Sequence, residues 1–320
     1  LVMVFVVFGH IVFNGETPSQ YILLKDYIYT FHMPAFFSIS GFLFGLKEWG
    51  CSSLKIIRKK IVALGIPYIF FSYVYLGLKS FLQNFLIVNQ KVEKQDFLKV
   101  FFFPELSVSV YWFLYVLILY FAIAAFTKKS FFASMFFSFL SLIYFIFWKA
   151  KILFIFNDCF NSFLGYFFCF TFASFLGKRY LDFMQKKYFK IVFFISAFIL
   201  STSSLIAFFC FSGSHKFLHI LFLTGGISLL FLLGALPSFL HASKLFVLIG
   251  DFSWFIYLLH PYFLNLIRNI LLKTTVISNF LYIMLNIIVG VFLPIFIAFV
   301  IEHFKYIDFV FYPTRYIKEK

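Results

Sequence analysis

Long, uninterrupted apolar runs recur along this chain, and they constrain its fold more than any other feature. Each run is about 17–22 residues long, which is the length of a helix that crosses a bilayer. Of the 320 residues, 63% are hydrophobic and 12% are charged, whereas soluble domains are about 45–50% apolar and about 25% charged. A β-barrel would instead alternate apolar and polar positions in segments of about ten residues. The sequence therefore predicts an all-α fold, a polytopic transmembrane helical bundle.

Polar or basic segments separate the apolar runs, and the pattern predicts about ten spans. The first run is already under way at Leu1, so either the native start of the chain is missing or the first helix is cut short. We expect residues 1–320 to form a single integral membrane domain. The predicted spans are Leu1–Phe13, Ile28–Leu46, Ile61–Leu82, Val110–Phe126, Phe131–Trp148, Cys159–Leu176, Ile191–Phe211, Phe217–Leu236, Leu245–Ile267 and Phe280–Ile301.

The net charge of +15 follows from 27 Lys and Arg against 12 Asp and Glu. Most of the basic residues lie in short loops between spans, so the positive-inside rule explains them better than binding to nucleic acid. This rule places both termini and the basic loop Lys55–Lys60 in the cytoplasm, with the loops Asn14–Tyr27 and Gln83–Ser109 outside. The four cysteines form no C-x-x-C pair, so neither a metal site nor a disulfide framework is predicted.

Histidines within the apolar runs are the first candidates for function, because an ionisable side chain in a membrane span is costly. His10 and His32 each lie about one helical turn from the outer end of their predicted spans, at about 1.5 Å per residue. A short loop joins these two antiparallel spans, so we expect the rings to face each other. His260 lies near the outer third of the ninth span.

A neutral imidazole suits a general base near pH 7, because its ordinary pKa lies close to that value. Catalysis is therefore one interpretation of His10, and a hydrogen-bonded structural imidazole is the other. For His32 and His260 the sequence favours neither interpretation over the other.

Other polar and aromatic positions also have two interpretations. Ser40, beside Gly41, either allows close helix packing or lines a site with its hydroxyl. Trp112 fits an aromatic belt at the outer interface, and it also lies where a substrate could bind. A basic cluster either contacts anionic lipid headgroups or clamps the phosphates of a cytoplasmic cosubstrate. Its members are Lys55, Arg58, Lys59 and Lys60.

Five blocks occur in an order and spacing that are typical of one family. They are Val7–His10, Phe31–Leu43, Arg58–Tyr68, Tyr111–Leu114 and Ser253–Pro261. The Phe-His-Met-Pro block with its Ser-Gly is quite specific, and the Ile-Tyr-Leu-Leu-His-Pro block is moderately so. On these residues the chain resembles the membrane-bound acyltransferases of the acyltransferase-3 family, which O-acetylate sugars of surface polysaccharides.

The resemblance implies ten spans, an acyl-CoA donor on the cytoplasmic side, a glycan hydroxyl as acceptor and a place in the bacterial cytoplasmic membrane. His10 would occupy the family's essential histidine position, with His32 as its helper. The basic cluster would hold the CoA phosphates. Ser40, Trp112, Tyr257 and His260 lie in or beside the matching blocks and would support or line the site.

The mechanism predicted from these residues is general-base catalysis. His10 would take the proton of a sugar hydroxyl while its oxygen attacks the thioester carbonyl, and His32 would orient His10 or stabilise the oxyanion. An acyl-CoA donor bound at Arg58 would be far from the two histidines, because His32 lies about 21 Å from the inner end of its helix. The pantetheine arm therefore threads through the bundle, or the acyl group is relayed through His10.

Two functions from other classes also fit the composition. A transporter or flippase of a glycan or lipid-linked sugar would have many spans with polar residues at depth, although the inverted repeats common in transporters are not seen. A structural or regulatory membrane subunit is the third possibility.

Overall fold

The computed structural model describes residues 1–13, 15–83, 91–102, 110–155, 157–179, 187–210, 218–239, 243–271, 277–301 and 303–316. Within these ranges the chain is helical and contains no strand, which confirms the all-α prediction. The α-helices are α1 Val2–Gly9, α2 Ser19–Lys47, α3 Ser53–Lys60, α4 Ile66–Leu82, α5 Asp96–Phe102, α6 Trp112–Thr127, α7 Phe131–Lys149, α8 Asp158–Lys178, α9 Lys187–Cys210, α10 His219–Phe239, α11 Ser243–Asp251, α12 Ser253–Leu271, α13 Asn279–Ile301 and α14 Lys305–Phe311.

Among the described residues, five helices are long and apolar enough to cross a membrane. They are Ser53–Leu82, Phe131–Lys149, Asp158–Lys178, Ile191–Cys210 and Asn279–Ile301. A sixth is added if the pair Lys244–Asp251 and Ser253–Leu271 is one broken span, and two apolar helices are shorter. Each predicted span thus coincides with helix, while the count of ten and the side of the termini stay predictions. The predicted boundaries at Phe211 and Phe217 lie outside the described residues.

The ninth span predicted from the sequence, Leu245–Ile267, corresponds to two helices rather than one. Its two halves, α11 and α12, meet at a bend of 77° around Phe252. Gly250 precedes this bend, and Asp251 and Ser253 flank it. Glycine weakens a helix, and Asp and Ser side chains compete for backbone hydrogen bonds, so this short stretch favours a break.

The basic segment Lys55–Lys60, predicted as a loop, is helical. It belongs to α3, which continues through a π-helical turn at Ile61–Gly65 into α4. Lysine, arginine and leucine are good helix formers, and Ile56 is buried, so charge alone does not end the helix here. The π turn has a local cause in Pro67, whose missing N–H and bulky ring disturb the preceding turn.

The first helix is shorter than predicted. α1 ends at Gly9, so His10 follows the helix rather than lying one turn inside it. The carbonyl oxygen of Gly9 accepts a hydrogen bond from the Tyr29 hydroxyl at 2.7 Å. A side chain thereby satisfies a backbone group that the end of the helix leaves open.

The chain divides into two compact units. The first unit contains residues 1–9, 18–52 and 123–250, and the second contains residues 10–17, 53–122 and 251–320. The expectation of one membrane domain over 1–320 stays a prediction.

In the first unit, α2 and α8 pack backbone against backbone. A Cβ atom at Gly41 or Gly45 would overlap a carbonyl oxygen of α8, and one at Gly177 would overlap a carbonyl oxygen of α2. Small residues permit such close approach in membrane proteins. Nearby, an apolar cluster holds α2 against α9 and α10, with its buried members at Tyr27, Ile28, Phe31, Ala35, Phe208, Phe222 and Leu230.

The second unit joins α12 to the C-terminal helix through aromatic side chains. The rings of Phe255 and Phe311 stack with centroids 4.2 Å apart. The indole Nε1 of Trp254 donates to the Phe311 carbonyl oxygen at 2.9 Å. These contacts hold the first turn of α12, and the histidine of this helix lies further along it.

Candidate active site

His10 and His260 lie side by side in the second unit. Their ring centroids are 5.4 Å apart, and the ring planes are inclined by 48°. His10 is half-buried just after α1, whereas His260 is 0% exposed within α12. The sequence predicted both histidines as site residues, and the ring found beside His10 within this unit is that of His260.

Backbone carbonyls fix the tautomer of His260. Its Nδ1 atom lies 2.9 Å from the carbonyl oxygens of both Ile256 and Tyr257. Carbonyl oxygens only accept hydrogen bonds, so Nδ1 carries the hydrogen. Pro261 explains why the Tyr257 carbonyl is open, because a proline has no N–H to donate to the residue four positions before it.

The other ring nitrogen of His260 is buried without a hydrogen-bond partner among the described residues. In the neutral ring this Nε2 atom is an acceptor, since Nδ1 holds the hydrogen. A buried polar atom without a partner is destabilising, by about 1–3 kcal/mol. Such an atom beside His10 is therefore suited to receive an N–H or O–H donor during function.

Two tyrosines tie α12 to the start of α6 by reciprocal hydrogen bonds. The Tyr111 hydroxyl donates to the Leu258 carbonyl oxygen at 2.7 Å. The Tyr257 hydroxyl donates to the Val110 carbonyl oxygen at 2.8 Å. Both tyrosines are buried. The predicted site residue Tyr257 also lies against His260, with ring centroids 6.4 Å apart, so this clamp positions the histidine.

The sequence indicated Trp112 as a site residue and did not indicate its neighbour Tyr111. Trp112 is half-buried at the first position of α6, whereas Tyr111 is 0% exposed and carries the link to α12. The sequence does contain a signal for Tyr111, because it lies in an apolar block and the hydroxyl of a buried tyrosine needs a hydrogen-bond partner. A substrate role for Trp112 stays a prediction.

The segment after His10 is held by α13. The Tyr282 hydroxyl donates to the Val12 carbonyl oxygen at 2.7 Å. The rings of Phe13 and Tyr282 lie 5.2 Å apart at 47°. Asn286, one turn further along α13, donates from Nδ2 to the Tyr282 carbonyl oxygen at 2.8 Å. His10 is thus followed by a chain segment that α13 fixes in place.

His32 lies in the first unit and is buried, 7% exposed. Its Nδ1 atom is 3.1 Å from the Ile28 carbonyl oxygen, and its ring is 4.7 Å from that of Tyr29. The same tyrosine bonds to Gly9, the residue before His10. The expected contact between His10 and His32 would join residues of different units, and it stays a prediction.

Ser40 lies half-buried on α2, immediately before the tightly packed Gly41. The close approach of α2 and α8 at this point supports the packing interpretation of the Ser-Gly pair. A site role for the Ser40 hydroxyl stays a prediction.

The four predicted phosphate ligands divide into two kinds. Lys55, Arg58 and Lys59 are exposed on α3, and their spacing of three and four residues places them on one face. Lys60 is half-buried, and its Nζ lies 4.2 Å from the centroid of the Phe121 ring. The first three are thus exposed to solvent, and Lys60 makes a cation–π contact within the protein.

These features define the class: a helical membrane protein with a buried imidazole beside a second histidine. A family model described as an acyltransferase domain matches residues 1–302. The chain therefore belongs to the acyltransferase-3 family, and it is an acyltransferase. Comparison with curated proteins gave no match, and neither did comparison with solved structures.

Proposed function

We propose that the protein transfers an acyl group, acetyl being the one we expect, from acyl-CoA to a hydroxyl of a cell-surface glycan or its lipid-linked precursor. Membership of the family establishes acyl transfer in general. The observation that supports this reaction is the packing of His10 against His260, whose Nε2 atom has no partner among the described residues.

In the proposed reaction His10 is the general base. It takes the proton of the sugar hydroxyl as the oxygen attacks the thioester carbonyl, and a tetrahedral intermediate forms. The C–S bond then breaks, and the CoA thiolate takes the proton from His10 as it leaves. A base of this kind contributes about 10²–10⁴-fold to the rate.

His260 orients His10 in this proposal. Its Nδ1–H is held by two carbonyls, so its Nε2 can accept an N–H from His10 and leave the other nitrogen of His10 as the base. This is the logic of a triad, in which a third group selects the tautomer of the catalytic histidine.

Of the two roles expected for His32, the tautomer argues against oxyanion binding. Its Nδ1 must donate to the Ile28 carbonyl, because that oxygen only accepts. In the neutral ring Nε2 is then an acceptor, and an oxyanion needs a donor.

For the donor, we propose that Lys55, Arg58 and Lys59 bind the phosphates of acyl-CoA. A guanidinium and two ammonium groups on one exposed face match a ligand with several phosphate oxygens. The π turn that follows α3 is a feature often found at functional sites. Contact with anionic lipid headgroups is the competing use of the same face. The proposed location is the cytoplasmic membrane of a bacterium.

The test measures transfer of labelled acetyl from acetyl-CoA to glycan isolated from a host that lacks the gene. We expect His10→Ala to lower turnover at least about 100-fold. Wild-type turnover in a stably folded His10→Ala variant would reject His10 as the base. Trapping of an acylated His10 by mass spectrometry would favour the relay over direct transfer.

A matched pair of variants tests His260. His260→Asn keeps an N–H near the Ile256 and Tyr257 carbonyls and removes the distal nitrogen, whereas His260→Gln places an amide oxygen near that nitrogen. We expect the Gln variant to retain more turnover than the Asn variant at equal thermal stability. Equal turnover in both variants would contradict an orienting role for Nε2.

A transporter of a glycan or lipid-linked sugar is the second candidate, and the broken pair α11–α12 favours it. Interrupted helices line the substrate sites of many transporters. Protein reconstituted into vesicles decides between the two: movement of the glycan in the absence of acyl-CoA supports transport, and CoA release that depends on glycan supports acyl transfer.

A further inference from the structure

A cavity lies beside the chain segment that follows His10. Its volume is about 300 Å³, and it is lined by residues of this segment and of α12 and α13, including Phe13, Glu16, Asn279 and Tyr282. Ligand pockets in proteins are about 300–1,000 Å³. This cavity is at the small end of the range, so it suits a group the size of one monosaccharide rather than a whole CoA molecule.

The side chains around the cavity combine two aromatic rings with hydrogen-bonding groups. The rings of Phe13 and Tyr282 are inclined at 47° and form a corner. Their faces carry partial negative charge and attract the partly positive C–H groups of a sugar ring. The Glu16 carboxylate accepts hydrogen bonds only, whereas the Asn279 amide both donates and accepts.

The charge of the lining limits the ligand further. Glu16 is exposed, and its carboxylate repels phosphates and sugar acids. Arg268 is near enough to Tyr282 to act on it electrostatically, but it is not among the described residues that line the cavity. A neutral ligand with adjacent hydroxyl donors therefore fits better than an anionic one.

Chain geometry places the cavity close to His10. Phe13 is three residues after His10, and a chain spans at most about 3.6 Å per residue, so their Cα atoms are within about 11 Å. The bond from Tyr282 to the Val12 carbonyl holds this segment on α13. A sugar in the cavity would thus present a hydroxyl, its own or that of the next sugar, towards His10.

We propose that this cavity is the acceptor subsite and that it binds a neutral pyranose sugar of the glycan. Glu16 accepts hydrogen bonds from adjacent hydroxyls, Asn279 bonds a further oxygen, and Phe13 and Tyr282 cover the C–H face of the ring. The inference rests on the proposed function, since it names the binding site for the acceptor of that reaction.

The test compares the acceptor kinetics of Glu16→Gln with those of Glu93→Gln, an exposed carboxylate of the same unit that does not line the cavity. Both variants change the net charge equally. The full chain is purified, and acetyl transfer from acetyl-CoA to glycan from the gene-deleted host is measured over a range of each substrate. We expect Glu16→Gln to raise the KM for glycan about 10-fold, because a charged hydrogen-bond acceptor is lost. The kcat and the KM for acetyl-CoA should change less than about 2-fold, and Glu93→Gln should behave as wild type.

Each result has a separate meaning. A wild-type KM for glycan in Glu16→Gln, while the unaltered protein transfers acetyl, overturns the subsite and leaves the proposed function intact. A lower kcat with an unchanged KM for glycan also overturns it, and so does an equal rise in the KM of both substrates. If the unaltered protein transfers no acetyl to the glycan, the proposed function and the subsite fail together.

Discussion

Two helix contacts, one in each unit, are made by different means. In the first unit, α2 and α8 touch through glycines, so carbonyl oxygens of each helix fill the place where a side chain would be on the other. In the second unit, α12 meets its neighbours through tyrosine hydroxyls that donate to backbone carbonyls. The first contact depends on shape alone, whereas the second depends on individual polar atoms.

This difference bears on where chemistry is possible. A seam of glycines excludes ligands, because the backbones leave no space between them. Tyrosines hold helices apart by the width of a ring and bring polar atoms into the interior. The His260 Nε2 atom, which has no hydrogen-bond partner among the described residues, and the cavity beside Phe13 both belong to the second unit.

The largest effect is expected from a side chain placed in the glycine seam. A Cβ at Gly45 would overlap the Ser174 carbonyl oxygen, and backbone atoms cannot move aside as a flexible side chain can. Gly45→Val should therefore destabilise the fold by about 3 kcal/mol or more, or prevent folding. Thermal melting and size-exclusion profiles in detergent measure this effect.

Gly77→Ala is the matched control, since nothing lies within 4 Å of a Cβ at Gly77. Alanine in a helix should raise stability by about 0.5–1 kcal/mol. A Gly45→Val variant that melts within about 2 °C of the unaltered protein would show that α2 and α8 are not tightly packed.

A smaller effect is expected from the tyrosine clamp. Tyr111→Phe and Tyr257→Phe each remove one hydroxyl and should each destabilise by about 0.5–1.5 kcal/mol. Because the two bonds brace the same pair of segments, a double-mutant cycle should give a coupling of at least about 0.5 kcal/mol. Turnover should fall in both variants, since the clamp positions His260. Strictly additive melting shifts with unchanged turnover would assign the two tyrosines to independent packing.

The sequence predicted the fold class and the position of nearly every helix, because the length of an apolar run depends only on the membrane it crosses. The prediction from sequence failed where a few residues change the backbone within an apolar run. The bend at Phe252 and the π turn before Pro67 each depend on a few residues that barely change mean hydropathy. The basic segment was assigned to a loop because charge was taken as a loop signal, although charged residues are good helix formers.

The site was predicted in part. His10 and His260 were both chosen, but their contact was not foreseen, because 250 positions separate them and a short loop made His32 the nearer neighbour in sequence. The packing of α12 brings the ring of His260 to His10. The tautomer of His260, by contrast, could be predicted from the sequence. Pro261 has no N–H to donate to the Tyr257 carbonyl, so that carbonyl can accept a hydrogen bond from the Nδ1–H of His260.

The smallest effect is expected at α5, which contains an ion pair between two of its own residues and which tyrosine hydroxyls hold in the second unit. Partial burial raises the pKa of the Asp96 carboxyl, but hydrogen bonds from Lys99 and the Glu93 N–H, with the charges of Lys99 and Lys79, outweigh it and keep the pKa below its ordinary value. A carboxyl whose pKa is lower in the folded state than in the unfolded state stabilises the fold at pH values above the unfolded pKa. This contribution is lost as the pH falls through the folded pKa. Protection of α5 against hydrogen exchange should therefore decline slightly below about pH 4, and Asp96→Asn should remove that decline.

The loss should stay small because Asp96 and Lys99 are only partly buried, so solvent still screens their ion pair. The hydroxyls of Tyr68 and Tyr73 donate to the carbonyls of Val100 and Phe97, and these bonds do not titrate in this range. Asp96→Asn should thus leave α5 docked at every pH tested. If α5 instead loses all protection in acid, the charge of Asp96 rather than the tyrosines keeps it docked, and tyrosine-to-carbonyl bonding would not be what joins α5 to the second unit.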